Sequence, residues 1–312
     1  FNGKLLWRRP VARWGWNEWA ADKFGGIEWT DITGGRTVVP DENQRRLVAA
    51  GDRLYATLSY AAPLSILDAA TGEVLATVEA TAPVREIVSA DGVVVVFSGG
   101  GTPGSARRRG EASAEPASLI AVKGDSGEVL WKTETAPIKS LFLAVEGGRV
   151  VYQAGPSLVG LDLKTGEQLW RVAPSEKNGR TLVVHDGVAV ILGGKGLEAR
   201  DARTGEQLWQ KNVLLASGLG SEDLFVVDGL VWPAMISVDE NQQPQGKSPD
   251  ALAVGYDLRT GEEKKRIFVP NLRSPEHHHR CYRNKATDRF LISAMEGAEY
   301  LDLKGDAHSQ NN

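Results

Sequence analysis

One nine-residue phrase is written twice in this chain with almost no change. Asp162, Thr165, Gly166, Glu167 and Trp170 return as Asp201, Thr204, Gly205, Glu206 and Trp209, a step of 39 residues. Looser copies run over 67–75, 122–131 and 256–263, and a degraded one over 301–306. They place Asp68, Gly72, Gly127, Trp131, Asp257 and Gly261 at the same offsets, with Lys123 where an Asp is expected. At the start, Gly3 and Trp7 keep the spacing of Gly166 and Trp170. The residue types are those of a tight turn. An Asp carboxylate folds back onto nearby backbone N–H groups, and Thr does the same more weakly. Gly supplies the left-handed backbone angle that closes a hairpin. The residues after the turn alternate in polarity as a strand does, so each Trp points to one face at a fixed distance from its turn.

Around each tag the chain reads as four short strands. Residues 141–173 hold three apolar runs separated by small bends, then the tag, then a fourth run, and 182–211 repeat this order. Residues 47–78, 224–268 and 282–303 follow it more loosely, and no stretch carries a long amphipathic helix pattern. Four-stranded units of about 40–50 residues are the mark of propeller blades. One blade cannot bury both of its faces, and stacking around an axis solves that. The expectation is an all-β fold, a β-propeller of four-stranded antiparallel blades. About six fall in this segment, and seven or eight in a longer parent. A β-sandwich is the rival, but it gives no reason for a turn tag at constant offset.

Three stretches interrupt the spacing and read as loop insertions: 10–45, 98–118 and 237–250. The chain opens on what reads as a blade's last strand and closes just after another's third. The favoured reading is that 1–312 is a propeller segment excised from a longer chain, rather than a ring closed by those ends.

The net charge is −4 with acids and bases interleaved, which gives no footprint for a nucleic acid. No run approaches the roughly 18 apolar residues of a membrane span. The 35 glycines match the many tight turns. Cys281 is the one cysteine, so no internal disulfide forms.

Candidate sites are few. His277, His279 and Cys281 share one face if extended, and their side chains suit zinc or copper. Trp14, Trp16, Trp19 and Trp29 could stack on a flat ligand, although covering an end of the propeller is the plainer role. Gly99, Gly101 and Gly104 match a dinucleotide-loop spacing. Pro103 and the charged run after it do not open a helix, so the match lacks its context. Arg107, Arg108 and Arg109 read as solvated loop charge. The tag acids read as turn formers, not catalysts.

The Asp-x-x-Thr-Gly-Glu-x-x-Trp tag resembles the PQQ-like repeat of the quinoprotein alcohol dehydrogenase-like propellers. That family includes quinone-dependent dehydrogenases and non-enzymatic members that scaffold outer-membrane barrel insertion. The phrases at 1–10, 14–20 and 277–312 resemble a bacterial subgroup in which such a propeller is joined to an S-adenosylmethionine-dependent methyltransferase domain. For the dehydrogenases, the resemblance implies PQQ, calcium, an Asp base and often a disulfide of adjacent cysteines. Cys281 alone cannot supply that pair, and no Asp stands apart from the turns. No cofactor is expected. The expectation is a non-catalytic binding or scaffolding module that takes a protein or small ligand at a propeller face. It would be linked to further domains, and the resemblance favours an extracytoplasmic place. A PQQ- or metal-dependent oxidoreductase and a structural spacer for a linked methyltransferase are the alternatives.

Overall fold

The computed structural model describes residues 3–11, 45–99, 116–176, 179–215, 223–245, 248–271, 284–294, 298–305 and 308–311. The chain divides into two compact units, Phe1–Arg171 and Val172–Asn312. No α-helix occurs among the described residues.

The first unit carries three four-stranded antiparallel sheets. Sheet A is β1 (Leu47–Ala50), β2 (Arg53–Thr57), β3 (Leu64–Asp68) and β4 (Val74–Val78), paired in that order. Sheet B is β5 (Val84–Ala90), β6 (Val93–Gly99), β7 (Ala117–Lys123) and β8 (Val129–Thr135). Sheet C is β9 (Ile138–Glu146), β10 (Arg149–Ala154), β11 (Ser157–Asp162) and β12 (Gln168–Val172), whose last residue begins the second unit.

The second unit continues with sheet D: β13 (Thr181–His185), β14 (Val188–Leu192), β15 (Gly196–Asp201) and β16 (Gln207–Asn212). Sheet E holds β17 (Leu224–Val227), β18 (Leu230–Pro233), β19 (Ile236–Ser237), β20 (Ala251–Asp257) and β21 (Glu263–Val269). Both β18 and β19 pair with β20, so together they form one interrupted second strand. The break falls after Pro233, which has no N–H to give to a ladder. Sheet F is β22 (Lys285–Ala286), β23 (Phe290–Ala294), β24 (Ala298–Asp302) and β25 (His308–Asn311).

Each sheet is a meander, and its first turn shows why. Asp91–Gly92, Gly147–Gly148, Asp186–Gly187 and Asp228–Gly229 are two-residue loops with both residues at positive φ. That backbone twist matches the twist of the strands it joins.

The cores lie between successive sheets, not within one. Ile66 and Val78 of sheet A pack with Ile87, Val94 and Ile120 of sheet B. Val190 and Leu197 of sheet D pack with Val231 and Leu252 of sheet E, and Ala253 and Ile267 of sheet E with Leu291 and Leu301 of sheet F. First strands approach one another, β1 and β5, β5 and β9, β13 and β17. Small meanders buried face against face with their first strands gathered are propeller blades, and the fold class is the all-β propeller.

One sequence expectation changes. The chain does not stop at a third strand: β25 pairs with β24, Leu301 opposite His308. The degraded tag at 301–306 lacks the Thr-Gly-Glu spelling yet still turns. Asp302 accepts from the N–H groups of Lys304 and Gly305 at 2.9 and 3.1 Å. Six complete sheets are present among the described residues.

A meander places its first and third turns at one end and its second turn and outgoing connection at the other. The tags therefore share an end with the Asp-Gly hairpins. The stretches 98–118 and 237–250 leave from the opposite end, as does the connection between β21 and β22.

Candidate functional site

The tag is a turn and also a socket. In each tag that keeps the Asp, its carboxylate accepts two backbone N–H groups, as Asp162 does from Lys164 and Thr165 at 2.9 and 3.0 Å. The residue after the Asp is then held from two sides. Its N–H donates to the first turn of its own sheet, Leu163 to Gly148 O at 3.0 Å and Leu258 to Gly229 O at 3.0 Å. Its carbonyl accepts from the sheet before. Trp131 donates to Leu163 O at 2.9 Å, and Trp209 to Leu258 O at 3.0 Å. Trp7 makes the same bond to Ala69 O at 3.0 Å, and Lys265 takes the indole's place at Leu303 O.

The tag glycine answers to both duties. Gly166 has φ +73°, and a Cβ there would lie 2.7 Å from the Trp131 ring; Gly261 stands in the same relation to Trp209. Any side chain would strain the backbone and strike the indole.

The junction of sheets A and B departs from this rule. The Trp position of sheet A is Ala76. The socket carbonyl, Gly124 O, accepts instead from the hydroxyl of Tyr55 on β2, at 3.1 Å. Burial pushes the Tyr55 hydroxyl pKa above its ordinary value. The socket residue has shrunk to make room, since a Cβ on Gly124 would lie 2.4 Å from that oxygen. Gly127 packs against Val78, Ile66 and Ala76 rather than an indole.

A groove of about 710 Å³ opens at this junction. Tyr55, Ala90, Val93 and Leu130 give it apolar walls. Arg53, Lys123 and Lys164 stand around it with Asp52, Asp91 and Asp125. Several charges are already engaged. Arg53 pairs with Asp52 at 2.7 Å, Lys123 with Glu128 at 2.5 Å, and Asp91 accepts the Gly148 N–H at 3.0 Å. An apolar trough with mixed charges on its rim suits a peptide-like segment, whose backbone and side chains meet both.

Two buried polar clusters escaped the sequence reading. In the first unit, the guanidinium carbons of Arg46 and Arg85 lie 5.1 and 5.9 Å from the centre of the Tyr60 ring. Arg45 pairs with Glu86, and Arg85 Nε donates to Gly99 O at 3.3 Å. These bonds tie the entries of β1 and β5 to the loop after β2 and the end of β6. In the second unit, Glu176 and Glu198 are buried, but all four of their oxygens are taken. Glu176 accepts from Gln210 Nε2 and Lys195 N at 3.1 and 3.2 Å. Glu198 accepts from Arg200 Nε and Glu176 N at 2.5 and 2.7 Å. They anchor the connection into sheet D. Their signal was faint, because Arg45, Arg46 and Glu176 sit in polar stretches that read as loop.

His277, His279 and Cys281 lie outside the described residues, as do Trp14, Trp16, Trp19 and Trp29, Gly101, Gly104 and Arg107–Arg109. Gly99 is described, and its role is local. A Cβ there would lie 2.3 Å from Pro116 O, across the β6–β7 ladder. No group of His, Cys, Asp and Glu that could hold a metal ion occurs among the described residues. No helix among them is long and apolar enough to cross a membrane.

These features define the class: an all-β propeller of four-stranded antiparallel blades. A family model described as outer membrane protein assembly factor BamB matches residues 98–239. Among solved structures, BamB from Moraxella catarrhalis is similar, at 15% identity and a TM-score of 0.48, over 83% of this chain and 70% of that one. No curated protein matches.

Proposed function

We propose that this propeller segment is a binding or scaffolding module that grips an extended peptide segment of a protein partner in the groove between sheets A and B. The observation that carries the reading is the altered junction. One pair of blades gives up the Trp wedge, and a 710 Å³ trough lies beside the substitution. The match to a family described as an outer membrane assembly factor supports a scaffolding role and an extracytoplasmic place. The resemblance of the phrases at 1–10, 14–20 and 277–312 supports a covalent link to a methyltransferase domain.

The test is a titration of the chain against a displayed library of extended peptides, repeated with Ala90→Arg, which fills the trough. Binding in the micromolar range that falls at least tenfold in the variant supports the reading. Peptides that bind both forms equally, or none at all, overturn it. Quinone absorbance with calcium-dependent dye reduction in the purified chain would instead mark an oxidoreductase.

A further inference from the structure

We infer that the segment held in the groove between sheets A and B carries both signs of charge, a carboxylate set against Lys164 and a cation set against Asp125, on either side of an apolar run. The inference rests on the peptide-binding reading above and adds what the peptide must contain. The placement of the two residues carries it. Each follows a socket residue. Asp125 follows Gly124, whose carbonyl takes the Tyr55 hydroxyl, and Lys164 follows Leu163, whose carbonyl takes the Trp131 indole. They hold one tag position in neighbouring sheets, both are exposed, and both line the groove.

That position is basic in sheets C to F, as Lys164, Arg203, Arg259 and Lys304. In sheet E it ties two sheets together. Arg259 reaches back to the first turn of sheet D and donates to Asp186 O at 2.7 Å and to the Asp186 carboxylate at 2.6 Å. Lys164 and Asp91 hold the same two places in sheets C and B, and there the tie is not made. Asp91 gives its carboxylate to the Gly148 N–H at 3.0 Å instead. Sheet B reverses the sign of the position, with Asp125 in the basic place. Other rim charges are taken, Arg53 by Asp52 and Lys123 by Glu128. Among the described residues, Lys164 Nζ and the Asp125 carboxylate keep no hydrogen bond or ion pair of their own. A segment lying on the apolar walls strips water from both. An uncharged one would leave two ions partly dehydrated. An all-acidic one would meet Asp125, and an all-basic one Lys164. One charge of each sign answers both.

The probe is a synthetic peptide, capped at both ends, in which a run of alternating Val and Thr is flanked by one Glu and one Lys. Runs of about four, six and eight residues cover the span, since an extended chain advances about 3.3 Å per residue. Fluorescence anisotropy gives the affinity for 1–312 and its variants. Exchanging the peptide Glu for Gln should weaken binding to the parent about threefold or more and leave binding to Lys164→Gln unchanged. Exchanging the peptide Lys for Gln should behave the same way with Asp125→Asn. The loss in Lys164→Glu should be restored by a peptide with Lys in place of its Glu. Strictly additive losses overturn the inference, and the groove reading survives them if Ala90→Arg still abolishes binding. Equal binding to Ala90→Arg overturns both. Failure of all three peptides to bind overturns the inference, and the library titration then decides whether the groove reading falls with it.

Discussion

Two neighbouring junctions of the first unit answer one packing problem with different residues. Between sheets B and C, Trp131 comes from the outer strand, lies over Gly166 and bonds to Leu163 O. Between sheets A and B, Tyr55 comes from the second strand and bonds to Gly124 O. The acceptor is the same backbone position in both. What differs is where the apolar bulk is placed. In the first case it fills the outer part of the wedge. In the second it moves to β2, and the socket residue gives up its side chain. The carbonyl is thus the fixed part of the joint, and the group that reaches it is exchangeable, as Lys265 shows again at Leu303.

The largest effect expected is at the indole. Trp131→Ala should cost about 3–5 kcal/mol, the range for removing a buried aromatic. Trp209→Ala, in the same geometry, should cost a similar amount. Urea unfolding of each variant reads this directly. A Trp131→Ala cost no greater than that of Tyr55→Phe would break the comparison.

Next comes the socket. Gly124→Ala pushes a methyl against the Tyr55 oxygen and toward Gly92 O, and should cost about 1–3 kcal/mol by overpacking. Tyr55→Phe alone should cost about 1 kcal/mol for the lost hydrogen bond. Because the two residues touch, the double variant should be more stable than the sum of the two single losses implies. Strict additivity would mean that Gly124 is small for some reason other than Tyr55.

The smallest effect is in acid. The Asp68 and Asp257 carboxyls are held below their usual range chiefly by the backbone N–H groups of Thr71 and Thr260. Burial acts first on Asp162 and Asp201 and raises them. The bonds from Thr165 and Thr204, with those from Lys164 and Arg203, outweigh it and bring both down. Arg289 holds Asp302 lower still. A depressed folded pKa means that the unfolded chain binds more protons in this window. The stability each Asp adds is complete above about pH 4, the unfolded carboxylate value, and is lost as pH falls through the folded values. Thermal unfolding followed from pH 6 to 2 should therefore fall less steeply for Asp162→Asn than for the parent chain. Sheet B, with Lys123 in the Asp place, has no such group to lose. Lys123→Asp should make the fall steeper.

The repeat made the fold legible in the sequence. A turn tag followed at fixed offset by a Trp requires hairpins whose indoles face a neighbour, and the stacked sheets follow. What the indole bonds to was hidden, because the acceptor is a main-chain carbonyl in a different sheet and any residue can provide it. The altered junction left three letters in plain view, Tyr55, Ala76 and Gly124. They lie up to 69 residues apart, and only their meeting in space gives them a common meaning. The degraded tag hid β25 because the local spelling had drifted while Asp302 alone was enough to turn the chain. The groove had no spelling at all, since its walls come from residues far apart in the chain, from Ala50 to Lys164, that meet only in space.

The shared socket has a consequence for how such a chain can grow. A blade that ends in the common indole can be followed by any blade with the common tag, so whole repeats can be gained, lost or reordered without redesign of their seams. Sheet A ends in Ala76 and must be followed by a blade carrying Gly124. That one seam fixes which repeat comes after which, and it marks a point from which the serial order of the others can be counted.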